Sequence, residues 1–144
     1  MPTRVATAHW SGSVQDGSGT VALGSGAFEG AYSFKTRMGD DPGTNPEELL
    51  GAAHAGCFTM ALSAALTRAG TPPTSLDTRA RVHFEQQEPG WRITRIDLTV
   101  TGAVPGIDDA AFTAAAQGAK ENCPVSVALS GVPEITLDAS LAES

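Results

Sequence analysis

Residues 36–63 read TRMGDDPGTNPEELLGAAHAGCFTMALS, and the fold turns on how that stretch is parsed. Asn45 stands as an N-cap, Pro46 occupies the first helical position, and Glu48 lies where it can reach back to the cap's amide. These signals predict a helix start. From Leu49 to Ala69 the side chains are small or apolar almost all round, which predicts a buried central helix or helix pair. Gly70, Pro72 and Pro73 end it.

On the N-terminal side the chain is punctuated by glycine, in SGSVQDGSGT (11–20) and GSGAFEG (24–30), with β-type pieces between. AYSFKT (31–36) alternates Tyr32 and Phe34 with Ser33 and Lys35 and predicts a half-buried strand. On the C-terminal side Leu76, Thr78, Ala80, Val82 and Phe84 alternate with Asp77, Arg79, Arg81, His83 and Glu85, a strand with one wet face. The turn EPG leads to WRITRIDLTVTG (91–102), where Ile96, Leu98 and Val100 share a side, so the two strands read as an antiparallel hairpin.

A helix capped by Asp108 is expected over about 108–121, then a short helix capped by Cys123 ahead of Pro124, then a last strand at EITLD (134–138). Strands grouped in this way, and not alternating singly with helices, indicate an α+β fold with antiparallel sheets packed around buried central helices. Neither repeat nor linker is visible, so residues 1–144 read as a single domain. The apolar helices exceed what one small sheet can cover, and a homodimer is expected.

The charge balance of 9 basic and 16 acidic residues, −7 net, opposes nucleic acid and anionic membrane surfaces as partners. MPTRVATAHW lacks the apolar core of a secretory signal, and no uninterrupted run of about 18 apolar residues occurs. A cytoplasmic protein is expected. In that compartment the two cysteines, Cys57 and Cys123, suggest transient catalytic oxidation more than a structural disulfide. Read by themselves they leave two alternatives, a long-range redox pair or two inert core residues. Their separation does not fit a compact metal knuckle, and with three scattered histidines no metal site and no cofactor is expected.

The whole segment 36–63, together with NCPVS (122–126), AHW (8–10), GSGT (17–20), VPGI (104–107) and EITLD, resembles the OsmC/Ohr family of thiol peroxidases, and within it the OsmC branch. The resemblance covers most of the chain. It implies an intertwined homodimer that reduces organic hydroperoxides and is reset by a dithiol reductant, of the lipoyl type for example. It also implies roles: Cys57 as the peroxidatic cysteine, Cys123 as the resolving cysteine, Arg37 as the activating cation and Glu47 as the carboxylate that holds Arg37.

A guanidinium is permanently charged and can stabilise a thiolate and the departing alkoxide, while a carboxylate can grip its fork through paired hydrogen bonds. On one straight helix Glu47 and Cys57 differ by about 15 Å of rise. The segment is therefore expected to break between Leu50 and Cys57, at Gly51 or Gly56, so that a second helix opens near the thiol and lends it a dipole.

His54 on this apolar helix reads as a packed or bonded histidine, and His83 as solvated on its strand. Two further readings have distinct signatures. A redox sensor or ligand-binding module on the same fold would consume about one equivalent of peroxide, and a hydrolase pairing Cys57 with His54 or His83 would need no reductant.

Overall fold

The computed structural model describes residues 2–142. The chain folds as two compact units, Met1–Leu49 and Leu50–Ser144.

The first unit is built on an antiparallel meander, β1 (Ala6–Ser11), β2 (Ser18–Leu23) and β3 (Glu29–Tyr32), with β2 in the middle. Trp10 and Tyr32, on the two outer strands, meet edge to face at 5.3 Å between ring centroids. The strand expected over AYSFKT stops at Tyr32 and gives way to helix α1 (Phe34–Met38). The cause is local. Ser33 Oγ accepts from the Thr36 amide at 3.2 Å, and Thr36 Oγ1 accepts from the Ser33 amide at 2.8 Å, a reciprocal cap that satisfies two donors the strand would otherwise have to pair.

Asn45 caps the next helix as its sequence implies, its Oδ1 accepting from the Glu48 amide at 2.7 Å. The Glu48 carboxylate does not return to the cap; it accepts from the Thr44 hydroxyl at 3.0 Å.

That helix, α2 (Pro46–Arg68), is unbroken. The expected interruption is absent because Gly51 does not serve as a hinge: a Cβ there would stand 3.3 Å from Val82 Cγ2, so the residue is small to let strand and helix approach. Its alanine-rich neighbours propagate the helix through both glycines. At the end, the Thr71 amide donates to Leu66 O and the Gly70 amide to Thr67 O, closing a Schellman turn at the predicted stop.

The second unit carries a sheet of β4 (Ser75–Gln86), β5 (Trp91–Ala103) and β6 (Glu134–Leu141), with β5 central. β4 and β5 form the expected antiparallel hairpin, whereas β6 lies parallel to β5. The all-antiparallel expectation fails here because the chain returns through α3 (Asp109–Asn122) and α4 (Pro124–Ala128), a crossover long enough to reverse direction twice.

Asp108 caps α3 by accepting from the Ala111 amide at 2.8 Å. Ile96, Leu98 and Val100 face inward from β5 and pack with Phe58, Leu62 and Leu66 of α2 and with Phe112, Ala116 and Ala119 of α3. Burial of this apolar surface is the main favourable contribution to the unit's stability, at about 25 cal/mol per Å².

α2 is not buried all round. His54, Phe58, Leu62 and Leu66 recur at helical spacing as a buried stripe, while Ala52, Ala53, Gly56, Met60 and Ala64 are exposed. The helix thus covers one side of the core and leaves an apolar side open.

Candidate active site

Cys57 and Cys123 are both free thiols and belong to the same unit. Cys57 projects from the interior of α2, on the margin of its buried stripe, and remains partly exposed. Cys123 is the residue at which α3 ends and α4 begins, and its side chain is wholly buried in the core. It ends α3 because Pro124 can open a helix but cannot continue one, and its sulphur takes the role of N-cap acceptor. The fold brings these two sequence-distant sulphurs close enough to act on each other's ionisation, and the Val125 N–H at the start of α4 acts on both.

The two thiols are not equivalent. Burial pushes Cys57 up, the Val125 N–H draws it down, and neighbouring Cys123 pushes it up again, with a net rise above the ordinary thiol value. Burial also pushes Cys123 up, but hydrogen bonds from the Ser126 hydroxyl and amide, from Cys57 and from the Val125 amide outweigh it, and the net direction is down. Because α2 is continuous, Cys57 has no helix N-terminus of its own. The dipole expected from a break at this point is absent, and the amide at α4 stands in its place.

Arg37 and Glu47 lie together in the first unit. The guanidinium grips the carboxylate with two parallel bonds, Nε to Oε1 at 2.9 Å and Nη2 to Oε2 at 2.8 Å. Glu47 presents its carboxylate from the first turn of α2, where a negative charge suits the helix dipole, and α1 carries Arg37 in its last turn. The pair is asymmetric in exposure, 39% for the arginine side chain against 10% for the glutamate. The hydrogen bonds that Arg37 donates to Glu47 raise its pKa, so the cation is permanent and oriented.

The histidines are partnered elsewhere. His54 is wholly buried and bonds Ser126 Oγ through Nε2 at 2.7 Å. His83 sits on the polar face of the second sheet and bonds Asp97 at 2.8 Å, beside Arg95 and Thr136 on the same carboxylate. Neither arrangement makes a Cys–His pair with Cys57. His9 bonds Ser11 at 3.0 Å.

Sequence reasoning did not foresee Ser126 or Val125. The CPVS run held a signal for both, since a residue capping a short helix must be met by the amides two and three positions on. Phe58, next to the candidate thiol in sequence, is a fully buried core residue. Among the described residues no group of His, Cys, Asp and Glu is arranged to hold a metal ion.

Residues 39–138 match the family model described as OsmC-like protein. The span includes Glu47, Cys57 and Cys123, and begins just after Arg37. Peroxiredoxin OsmC of Escherichia coli is 50% identical over 135 residues, 93% of this chain and 93% of that protein. An organic hydroperoxide resistance protein of Xanthomonas axonopodis pv. citri is 33% identical over 96 residues, 66% of each chain. Among solved structures, the organic hydroperoxide resistance protein OsmC of Legionella pneumophila superposes with a TM-score of 0.77 at 23% identity, covering 99% of this chain and 98% of that one. OhrB of Bacillus subtilis superposes with a TM-score of 0.72 at 22% identity, over 96% and 98%. With its two thiols in contact, its α+β fold and this breadth of identity, the chain belongs to the family of OsmC-like proteins.

Proposed function

We propose that this protein is a thiol peroxidase that reduces organic hydroperoxides to alcohols through Cys57 and Cys123. The observation that carries the reading is the contact between two free thiols of unequal access, one partly exposed and one wholly buried. A peroxide can approach only the exposed one, so Cys57 is the attacking sulphur. Its thiolate takes the distal peroxide oxygen as the O–O bond breaks, the alkoxide leaves as alcohol on gaining a proton, and Cys57 becomes a sulfenic acid. Cys123 then displaces the sulfenic hydroxyl as water and closes a disulfide. An external dithiol reopens it by exchange, restoring both thiols.

Cys57 needs a cation, because its own surroundings push its thiol up. Arg37, held by Glu47, is the group we assign to that task from the family resemblance, and it would also stabilise charge growing on the leaving oxygen. The assembly we infer is a homodimer, supported by the open apolar side of α2.

Turnover in the presence of a dithiol tests the reading. The wild-type protein should consume many equivalents of an organic hydroperoxide per chain, and more efficiently than it consumes hydrogen peroxide. Cys57→Ser should abolish consumption. Cys123→Ser should retain one rapid oxidation and accumulate sulfenic or sulfinic acid at Cys57, seen as a mass increase. Consumption that stops at one equivalent would replace the enzyme with a redox sensor, and a Cys123→Ser protein that never gains mass at Cys57 would overturn the two roles.

A further inference from the structure

The steps above use neither His54 nor Ser126, yet both are buried, Ser126 beside the resolving sulphur and His54 beside Ser126. His54 is 0% exposed and Ser126 7% exposed, and they join α2 to α4 through the 2.7 Å bond between His54 Nε2 and Ser126 Oγ. Ser126 in turn turns toward Cys123 twice, its hydroxyl at 3.5 Å and its amide at 3.4 Å from Sγ. The other ring nitrogen, His54 Nδ1, is buried and finds no hydrogen-bond partner among the described residues. We propose, resting on the peroxidase reading above, that His54 and Ser126 form a hydrogen-bond relay that holds Cys123 as the attacking thiolate when the Cys57–Cys123 disulfide closes.

The orphaned nitrogen fixes the direction of the relay. A neutral imidazole carries one N–H and one acceptor. Were the proton on Nδ1, a buried donor would go unpaired, and Nε2 would take the Ser126 hydroxyl proton away from the sulphur. With the proton on Nε2, only an acceptor is left unpaired, which is the less costly omission. Nε2–H then donates to Ser126 Oγ, and the serine hydroxyl is left with its own proton to give to Cys123. Burial lowers the His54 pKa, which favours the neutral ring.

A packing role alone does not require such a residue. An apolar side chain of similar volume would fill the stripe between Gly51 and Phe58 without a buried unpaired nitrogen. What the histidine adds is the orientation of one proton, at a distance of one serine from the sulphur. His54 and Ser126 are therefore positioning residues.

The chemistry balances without another reactant. The Cys123 thiolate attacks Cys57 Sγ; the S–S bond forms as the S–O bond breaks, and the departing hydroxide gains a proton. That gain offsets the proton lost when Cys123 ionised, so the sum is sulfenic acid plus thiol to disulfide plus water. The titratable groups facing Cys123 are Cys57 directly and His54 through Ser126, both from α2.

Two measurements test the relay. The first follows one equivalent of organic hydroperoxide by rapid quenching, alkylation and mass spectrometry, resolving oxidation of Cys57 from closure of the disulfide. Ser126→Ala and His54→Met should slow closure by about tenfold or more, leave oxidation within about twofold, and let the sulfenic acid accumulate. His54→Gln, whose side-chain amide can donate from nearly the same place, should recover most of the closure rate.

The second titrates Cys123 by thiolate absorbance in reduced Cys57→Ser protein, where no peroxide chemistry is involved. Ser126→Ala and His54→Met should raise its midpoint, and His54→Gln should restore it. An unmoved midpoint and closure rate in Ser126→Ala, which loses a single oxygen, would overturn the relay, as would a His54→Gln protein no better than His54→Met. Should the wild type consume no hydroperoxide at all, the peroxidase reading fails, and the titration still decides whether the relay exists.

Discussion

At the scale of residues, the two halves of the peroxidase reading are a thiol that is hard to ionise and a cation that cannot be neutralised. Cys57 is pushed up by burial and by Cys123, and the Arg37 guanidinium is fixed on Glu47 by two bonds of 2.8–2.9 Å. If Arg37 stabilises the thiolate and Glu47 only orients Arg37, the two must act as one unit. On a Cys123→Ser background, Arg37→Ala should raise the Cys57 pKa and slow oxidation by about tenfold to a hundredfold, the range expected for loss of a close opposite charge. Glu47→Gln should do less, because the guanidinium keeps its charge and loses only its alignment. The double variant should match Arg37→Ala alone, since an orienting carboxylate then has nothing to orient. Thiolate titration and stopped-flow oxidation of all three proteins measure this, and strict additivity would show the residues to be independent.

At the scale of elements, the core of the second unit depends on how closely β5 approaches its neighbours. Gly102, buried in β5, faces Phe112 of α3 and Leu76 of β4; a Cβ added there would stand 2.8 Å from the phenyl ring and 2.9 Å from a leucine methyl. Gly102→Ala should therefore destabilise the fold by about 1–3 kcal/mol despite its higher strand propensity, and chemical denaturation would reveal the loss as a lower midpoint. A neutral or stabilising result would mean that Phe112 can move without cost.

The same elements show what the sequence could and could not convey. The caps at Asn45, Asp108 and Cys123 were legible because a cap is a local contract between one side chain and an amide three residues on. Alternation placed β4 and β5 because one face is wet. The continuity of α2 was hidden, since the reason for a glycine at position 51 is close approach to Val82, a partner remote in sequence. The direction of β6 was hidden as well, because a strand's own pattern does not say which way its neighbour runs. Within the site, the contact between Cys57 and Cys123 and the bond from His54 to Ser126 are tertiary facts, assembled only when α4 packs beside α2.

At the scale of the whole molecule, the open side of α2 demands an occupant. By length and composition Pro46–Arg68 would suffice to cross a membrane, but its stripe of Phe58, Leu62 and Leu66 is committed to the protein's own core. The opposite side presents Ala52, Ala53, Gly56, Ala64 and Met60, with Met60 77% exposed. Small residues in this arrangement allow another backbone to approach closely, and a second copy of the chain offers the same flat surface under a two-fold axis. For the homodimer proposed above, light scattering at micromolar concentration should report a mass near twice 14.7 kDa. Met60→Lys places a charge in that surface without touching the core, so it should shift the protein toward monomer while leaving its helical circular dichroism unchanged. A wild-type protein that is monomeric and well folded at that concentration would remove the dimer, and a Met60→Lys protein that stays dimeric would move the interface to another face.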